Sequence, residues 1–172
     1  MSIIEQLVKN STQYKGIPYL QWSLGQEEKK FFCTDRHYTL DELITRGIDS
    51  ATLINIFYIS LFGVPVRGEQ LYDTIWWGYT LRIRQPFEQQ KDYPPGTLLF
   101  RRYKSKERPG HLAMVTQKDI LIHAWPESGV EQHLIKDIHW FDRQEYPTGF
   151  FEFAILPQDW LKPSLVKDRW YP

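Results

Sequence analysis

The segment from Asp49 to Leu61, DSATLINIFYISL, constrains this chain more than any other. It is apolar on most faces, opens on an aspartate suited to capping a helix, and stops at Gly63-Val64-Pro65. Its β-branched residues would also tolerate a buried strand, but its length and its stop favour a helix. A helix apolar nearly all round belongs in the middle of a domain. The rest of the chain must therefore be built to cover it.

The flanking sequence supplies the cover in two kinds. Upstream, Ile3, Ile4, Leu7 and Val8 recur at helical spacing, which predicts a short amphipathic helix over residues 2–9 that stops at Asn10-Ser11. Tyr14 to Trp22 follows, then a polar loop from Gly25 to Lys30. Thr39 with Glu42 three residues on forms a capping box, and Gly47 is placed to close that short helix after Arg46. Downstream of the turn Tyr93-Pro94-Pro95-Gly96 the pattern changes to short strand-like runs: Thr97–Tyr103, His111–Thr116, Ile120–Trp125, Val130–Ile135 and Phe150–Leu156. Helices first and strands afterwards predict an α+β domain with an antiparallel sheet packed against the central helix. After Pro157 an irregular surface tail is expected. A length of 172 residues suits a single domain over 1–172.

Composition narrows the functions. The 21 basic and 21 acidic side chains cancel without forming a long run of either sign, which argues against nucleic acid as a partner. Aromatic residues reach 16%, enough for a ring-rich interior. No apolar stretch approaches the roughly 20 residues of a membrane span. The N-terminal segment lacks the pattern of a secretory signal, so the expectation is a cytoplasmic protein or one exported by another route. Cys33 is the single cysteine and cannot form an internal disulfide; without a helix N-terminus or further ligands beside it, it reads as a small buried residue.

Three residues stand out once this layout is drawn. Ser50 falls in the first turn of the buried helix, His111 opens one strand, and His123 lies near the end of the next. A tight turn at Gln117-Lys118-Asp119 would pair those strands antiparallel and bring the imidazoles together with an offset of about two residues. A nucleophile at a helix N-terminus gains from the unpaired amides and the positive end of the dipole. A histidine in reach serves as base and then as acid to the leaving group, and a third polar group, here His123, fixes its tautomer. Each residue alone has a plainer reading: Ser50 as a helix-terminal hydroxyl, His111 as a surface histidine, His123 as a satisfied core histidine. Their joint placement is what points to acyl transfer.

The motifs around these residues resemble those of the NlpC-type peptide hydrolases, which are papain-like cysteine peptidases and amidases. The matching segments, in order, are Gly16-Ile17-Pro18-Tyr19, Asp49-Ser50-Ala51-Thr52-Leu53-Ile54, Pro95-Gly96-Thr97-Leu98-Leu99-Phe100, Gly110-His111-Leu112-Ala113-Met114-Val115 and Leu121-Ile122-His123-Ala124. The resemblance implies a papain-like α+β fold and a peptide substrate, typically from the bacterial cell wall. It also implies Ser50 in the nucleophile position, His111 as base, His123 as orienting residue and Tyr19 as an active-site tyrosine, with no metal or organic cofactor.

Ser50 departs from that pattern, because the family carries cysteine there. A hydroxyl is far harder to deprotonate than a thiol, whose pKa is about 8.5. Three readings stay open: a Cys→Ser inactivation, a natural pseudoenzyme and a working serine hydrolase. A silent peptide- or acyl-binding module and an acyltransferase or lipid-acting hydrolase are the alternatives in function. His133 and His139 show no partners in the sequence and read as surface residues. Trp76-Trp77-Gly78-Tyr79 reads as core or as a cleft wall.

Overall fold

The computed structural model describes residues 1–20, 39–62, 84–102, 110–141 and 147–161. The expected loop at Gly25–Lys30, Cys33, the Gly63-Val64-Pro65 stop, the Trp76–Tyr79 cluster, Tyr103 and the tail beyond Leu161 lie outside the described residues.

The helices follow their caps. Helix α1 (Ile3–Ser11) starts at Ser2, whose hydroxyl accepts the Glu5 amide while the Glu5 carboxylate returns to the Ser2 amide. It runs two residues past the expected end, because Ser11 turns its hydroxyl onto the Val8 carbonyl and stays within the helix. Helix α2 (Leu40–Arg46) is held by the predicted Thr39–Glu42 capping box. Gly47 ends it at φ +83°, where an added Cβ would press on the Pro18 carbonyl oxygen.

Helix α3 (Ser50–Phe62) is the predicted central helix, displaced by one residue. Asp49 caps it, accepting the Thr52 amide at 2.8 Å. Leu53, Ile54, Phe57 and Tyr58 are wholly buried.

Among the described residues, six strands form one antiparallel sheet in the order β1-β8-β2-β3-β4-β5: β1 (Arg84–Pro86), β2 (Leu98–Arg101), β3 (His111–Gln117), β4 (Ile120–Trp125), β5 (Gly129–Leu134) and β8 (Phe153–Ile155). Two three-residue strands, β6 (His139–Phe141) and β7 (Pro147–Gly149), pair separately. The architecture is α+β, a buried helix on an antiparallel sheet, as the sequence predicts. Strands β1, β6 and β7 are too short to leave a period-two signature, and prolines interrupt two of them, so pattern reading passes over them. Phe150–Glu152 also leaves the predicted last strand: β8 itself spans only Phe153–Ile155, slotted between β1 and β2.

The expected irregular tail is replaced at its start by a one-turn helix, α4 (Pro157–Trp160). Proline at its first position needs no amide partner, and the buried Trp160 indole donates to the Gly96 carbonyl at 2.7 Å.

The sheet divides the core into two. Leu112, Met114, Ile122 and Ala124 pack with Leu53, Ile54 and Phe57 of α3. Their alternate neighbours Ala113, Val115 and Leu121 pack on the other face with Phe150, Phe151 and Ala154.

Candidate active site

Strands β3 and β4 pair as predicted from the turn at Lys118-Asp119, where Asp119 adopts φ +58°. A bulge between Val115 and Gln117 absorbs one residue. Pairing then runs through Val115↔Leu121 and Met114↔Ile122 and goes no further. Beyond that point the register of β3 with β4 lapses, and there the tip of α3 meets β3 through Ser50 and Leu112.

The direction of the amides shows how. The Val115 amide donates toward β2, to the Thr97 carbonyl at 2.8 Å, so by alternation the Leu112 amide points toward β4. No carbonyl of β4 pairs with it; the Ser50 hydroxyl accepts it instead, at 3.3 Å. Ser50 Oγ thus lies beside the main chain of Leu112, on the edge of β3 that is turned toward β4. The amides of the first turn of α3 and the positive end of its dipole are directed at the same place.

His111 and His123 occupy the sheet face away from α3. The His111 ring meets Trp125, Phe150 and Phe151 edge-on or tilted, and the His123 ring stacks on Trp125 at 5.2 Å. His111 Nε2 lies 2.9 Å from His123 Nδ1. The pairing register carried forward sets His123 opposite Ala113, which gives the predicted two-residue offset. With Nε2 engaged by His123, Nδ1 of His111 makes no hydrogen bond among the described residues. Among the described residues, no hydrogen bond joins the Ser50 hydroxyl to either imidazole.

The chain is similar to the NlpC/p60 domain of the peptidoglycan hydrolase SagA. That solved structure superposes with a TM-score of 0.48 at 18% identity, over 87% of this chain and 94% of that one. No protein-family model matches the chain, and no curated protein does. The residue assignments rest on this chain's own motifs and geometry.

Both imidazoles are held neutral. Burial lowers the His111 pKa well below its ordinary 6.5, and the neighbouring His123 and the Arg101 charge lower it further. Arg101 is directly opposite His111 on β2, its guanidinium over the Phe150 ring. Burial, then His133, brings His123 down to about 3.

Tyr19 lies at the foot of α3. The segment 16–20 is pinned on both sides: Gly16 and Ile17 exchange backbone hydrogen bonds with Val130, and Pro18 and Leu20 do so with Ile48. Burial, then the Asp49 charge, raises the Tyr19 phenol far above its ordinary 10 and keeps it protonated.

His133 corrects the sequence reading. It is half-buried and partnered, with its Nδ1 3.1 Å from His123 Nε2 and its Nε2 3.4 Å from Glu131 Oε1. Glu131 is itself directly opposite His123 across the β4–β5 pair. The turn Pro126-Glu127-Ser128 fixes this register, so counting outward from it would have set Glu131, His133 and His123 on one face. His139 is exposed, as expected. The ligand atoms of His123, Glu131 and His133 all lie within 4.8 Å of one another, a spacing that a metal ion could also use.

Proposed function

We propose that this chain is a papain-like hydrolase of the NlpC type, a single domain that acts on an amide bond of a peptide, by family resemblance a cell-wall peptide. Ser50 occupies the nucleophile position, His111 is the base, His123 orients it, and Tyr19 lines the approach at the foot of α3. The observation that carries this reading is one juncture: a helix-tip hydroxyl meets the edge of β3 turned toward β4, and the two strands are bridged by a hydrogen-bonded imidazole pair. The order of the five sequence motifs supports the same assignment.

In the proposed reaction His111 Nδ1 takes the nucleophile's proton as Oγ attacks the carbonyl carbon. The amides at the start of α3 that the Asp49 cap leaves open receive the developing oxyanion. His111 then returns the proton to the leaving amine, and water repeats the cycle on the acyl intermediate. The low basicity of a buried, neutral His111 suits sulfur better than oxygen, because a hydroxyl needs far more help than a thiol to lose its proton. The natural chemistry is therefore assigned to a cysteine at position 50, and the serine form is slow or silent.

The test is to assay the chain and its Ser50→Cys variant on cell-wall peptides and on lipid esters. Peptide hydrolysis that appears or rises at least about a hundredfold with cysteine, and disappears again with His111→Ala, is the expected result. Silence of both forms would favour a binding module, and ester hydrolysis alone would favour a lipid-acting enzyme.

A further inference from the structure

The hydrogen bonds at the imidazole pair do not end at His123. They continue through His123 Nε2 to His133 Nδ1 at 3.1 Å, and beyond it the Glu131 carboxylate lies 3.4 Å from His133 Nε2, within ion-pair distance. We propose that Glu131 and His133 are positioning residues that set the tautomer of His111, holding its proton on Nε2 and leaving Nδ1 bare to take the proton of residue 50. The inference rests on the hydrolase reading for its purpose, though not for its geometry.

Donors and acceptors decide the direction of the row. When all three imidazoles are neutral, each with one N–H and one bare nitrogen, a row of three bonded end to end has only two self-consistent arrangements. An ionised carboxylate only accepts. With Glu131 at the end, a neutral His133 is favoured with its proton on Nε2, toward the carboxylate. Its bare Nδ1 then accepts from His123 Nε2–H, and the bare Nδ1 of His123 accepts from His111 Nε2–H. The reversed arrangement would set a bare His133 nitrogen against the Glu131 oxygen and place a proton on His111 Nδ1, where it blocks proton abstraction from residue 50.

The site suits this role. His123 is fully buried and cannot exchange its partner for water, whereas His133 and Glu131 are partly exposed, with side chains 38% and 26% accessible. The Ser128 hydroxyl donates to Glu131 Oε1, which holds the carboxylate at the end of the row. Cross-strand register sets Glu131 opposite His123 and His133 opposite Leu121, so all three side chains share the face that carries His111.

The test uses NMR of ring-15N-labelled histidine in the intact chain with EDTA present, which reads the proton position without any need for catalysis. The native protein should show His111 protonated at Nε2 and bare at Nδ1. Glu131→Lys puts a donor where the acceptor was and should reverse the row, moving the His111 proton to Nδ1. In the Ser50→Cys background the same change should lower kcat by at least about a hundredfold, with KM little altered. A proton on Nδ1 in the native protein overturns the proposal whether or not the lysine variant folds. So does a folded lysine variant that keeps the native pattern, or a native pattern that forms only when Zn2+ is added. Absence of peptide hydrolysis with the ring pattern intact would instead count against the hydrolase reading alone.

Discussion

At the scale of single residues, the two buried imidazoles make a prediction independent of catalysis. Their folded pKa values are lowered, so as pH falls through the ordinary 6.5 the unfolded chain takes up protons that the folded chain refuses. Stability is therefore greatest above about pH 6.5 and falls below it, down to about 3 for His123, by up to about 1.4 kcal/mol per pH unit for each ring. Urea denaturation at pH 7 and pH 5 should show that loss, and His123→Asn should reduce it. A midpoint unchanged between the two would mean that the rings are solvated. Among the candidate site residues, the placement of Ser50, His111 and His123 was legible because each occupies a position with one local meaning: a helix start, a strand start, a strand end. The partnership of His133 was not, since it depends on strand register, and no local signal in Gly129–Leu134 marks a histidine as paired.

At the scale of elements, the cap of α3 and the start of β5 position the site. Asp49 holds the Thr52 amide at 2.8 Å and is itself buried, so Asp49→Ala should cost about 1–2 kcal/mol in thermal or chemical denaturation. Asp49→Asn, which keeps the acceptor, should recover most of that. Gly129 opens β5 at φ +79°, with the Ile17 carbonyl where a Cβ would go. Gly129→Ala should therefore cost on the order of 2 kcal/mol or more and loosen the 16–20 segment that carries Tyr19. Unaltered stability and unaltered amide exchange at Ile17 and Val130 would contradict this. Helix α3 and the β3–β4 hairpin could be read from the sequence because length, capping and turn chemistry all agreed. The three-residue strands could not, because three residues are too few to display a period.

At the scale of the whole molecule, the sheet is not a barrier between helix and histidines. The sheet's two faces carry separate cores, one around α3 and one around Phe150 and Phe151, and they communicate where the register of β3 with β4 lapses. Alternation along β3 assigns His111 to the face opposite Leu112, and so to the side away from the helix. A sequence reading that sets the imidazoles before the helix tip misses this, because it does not foresee the lapse in register at which the tip meets β3. The proposed chemistry requires that lapse. The most direct measurement is the rate of thiol alkylation by iodoacetamide at position 50 in the Ser50→Cys variant, with and without His111→Ala. A neutral His111 that takes the thiol proton as the new bond forms predicts alkylation at pH 7 that slows at least about tenfold when His111 is removed. An alkylation rate at pH 7 that ignores the loss of His111 would contradict the account.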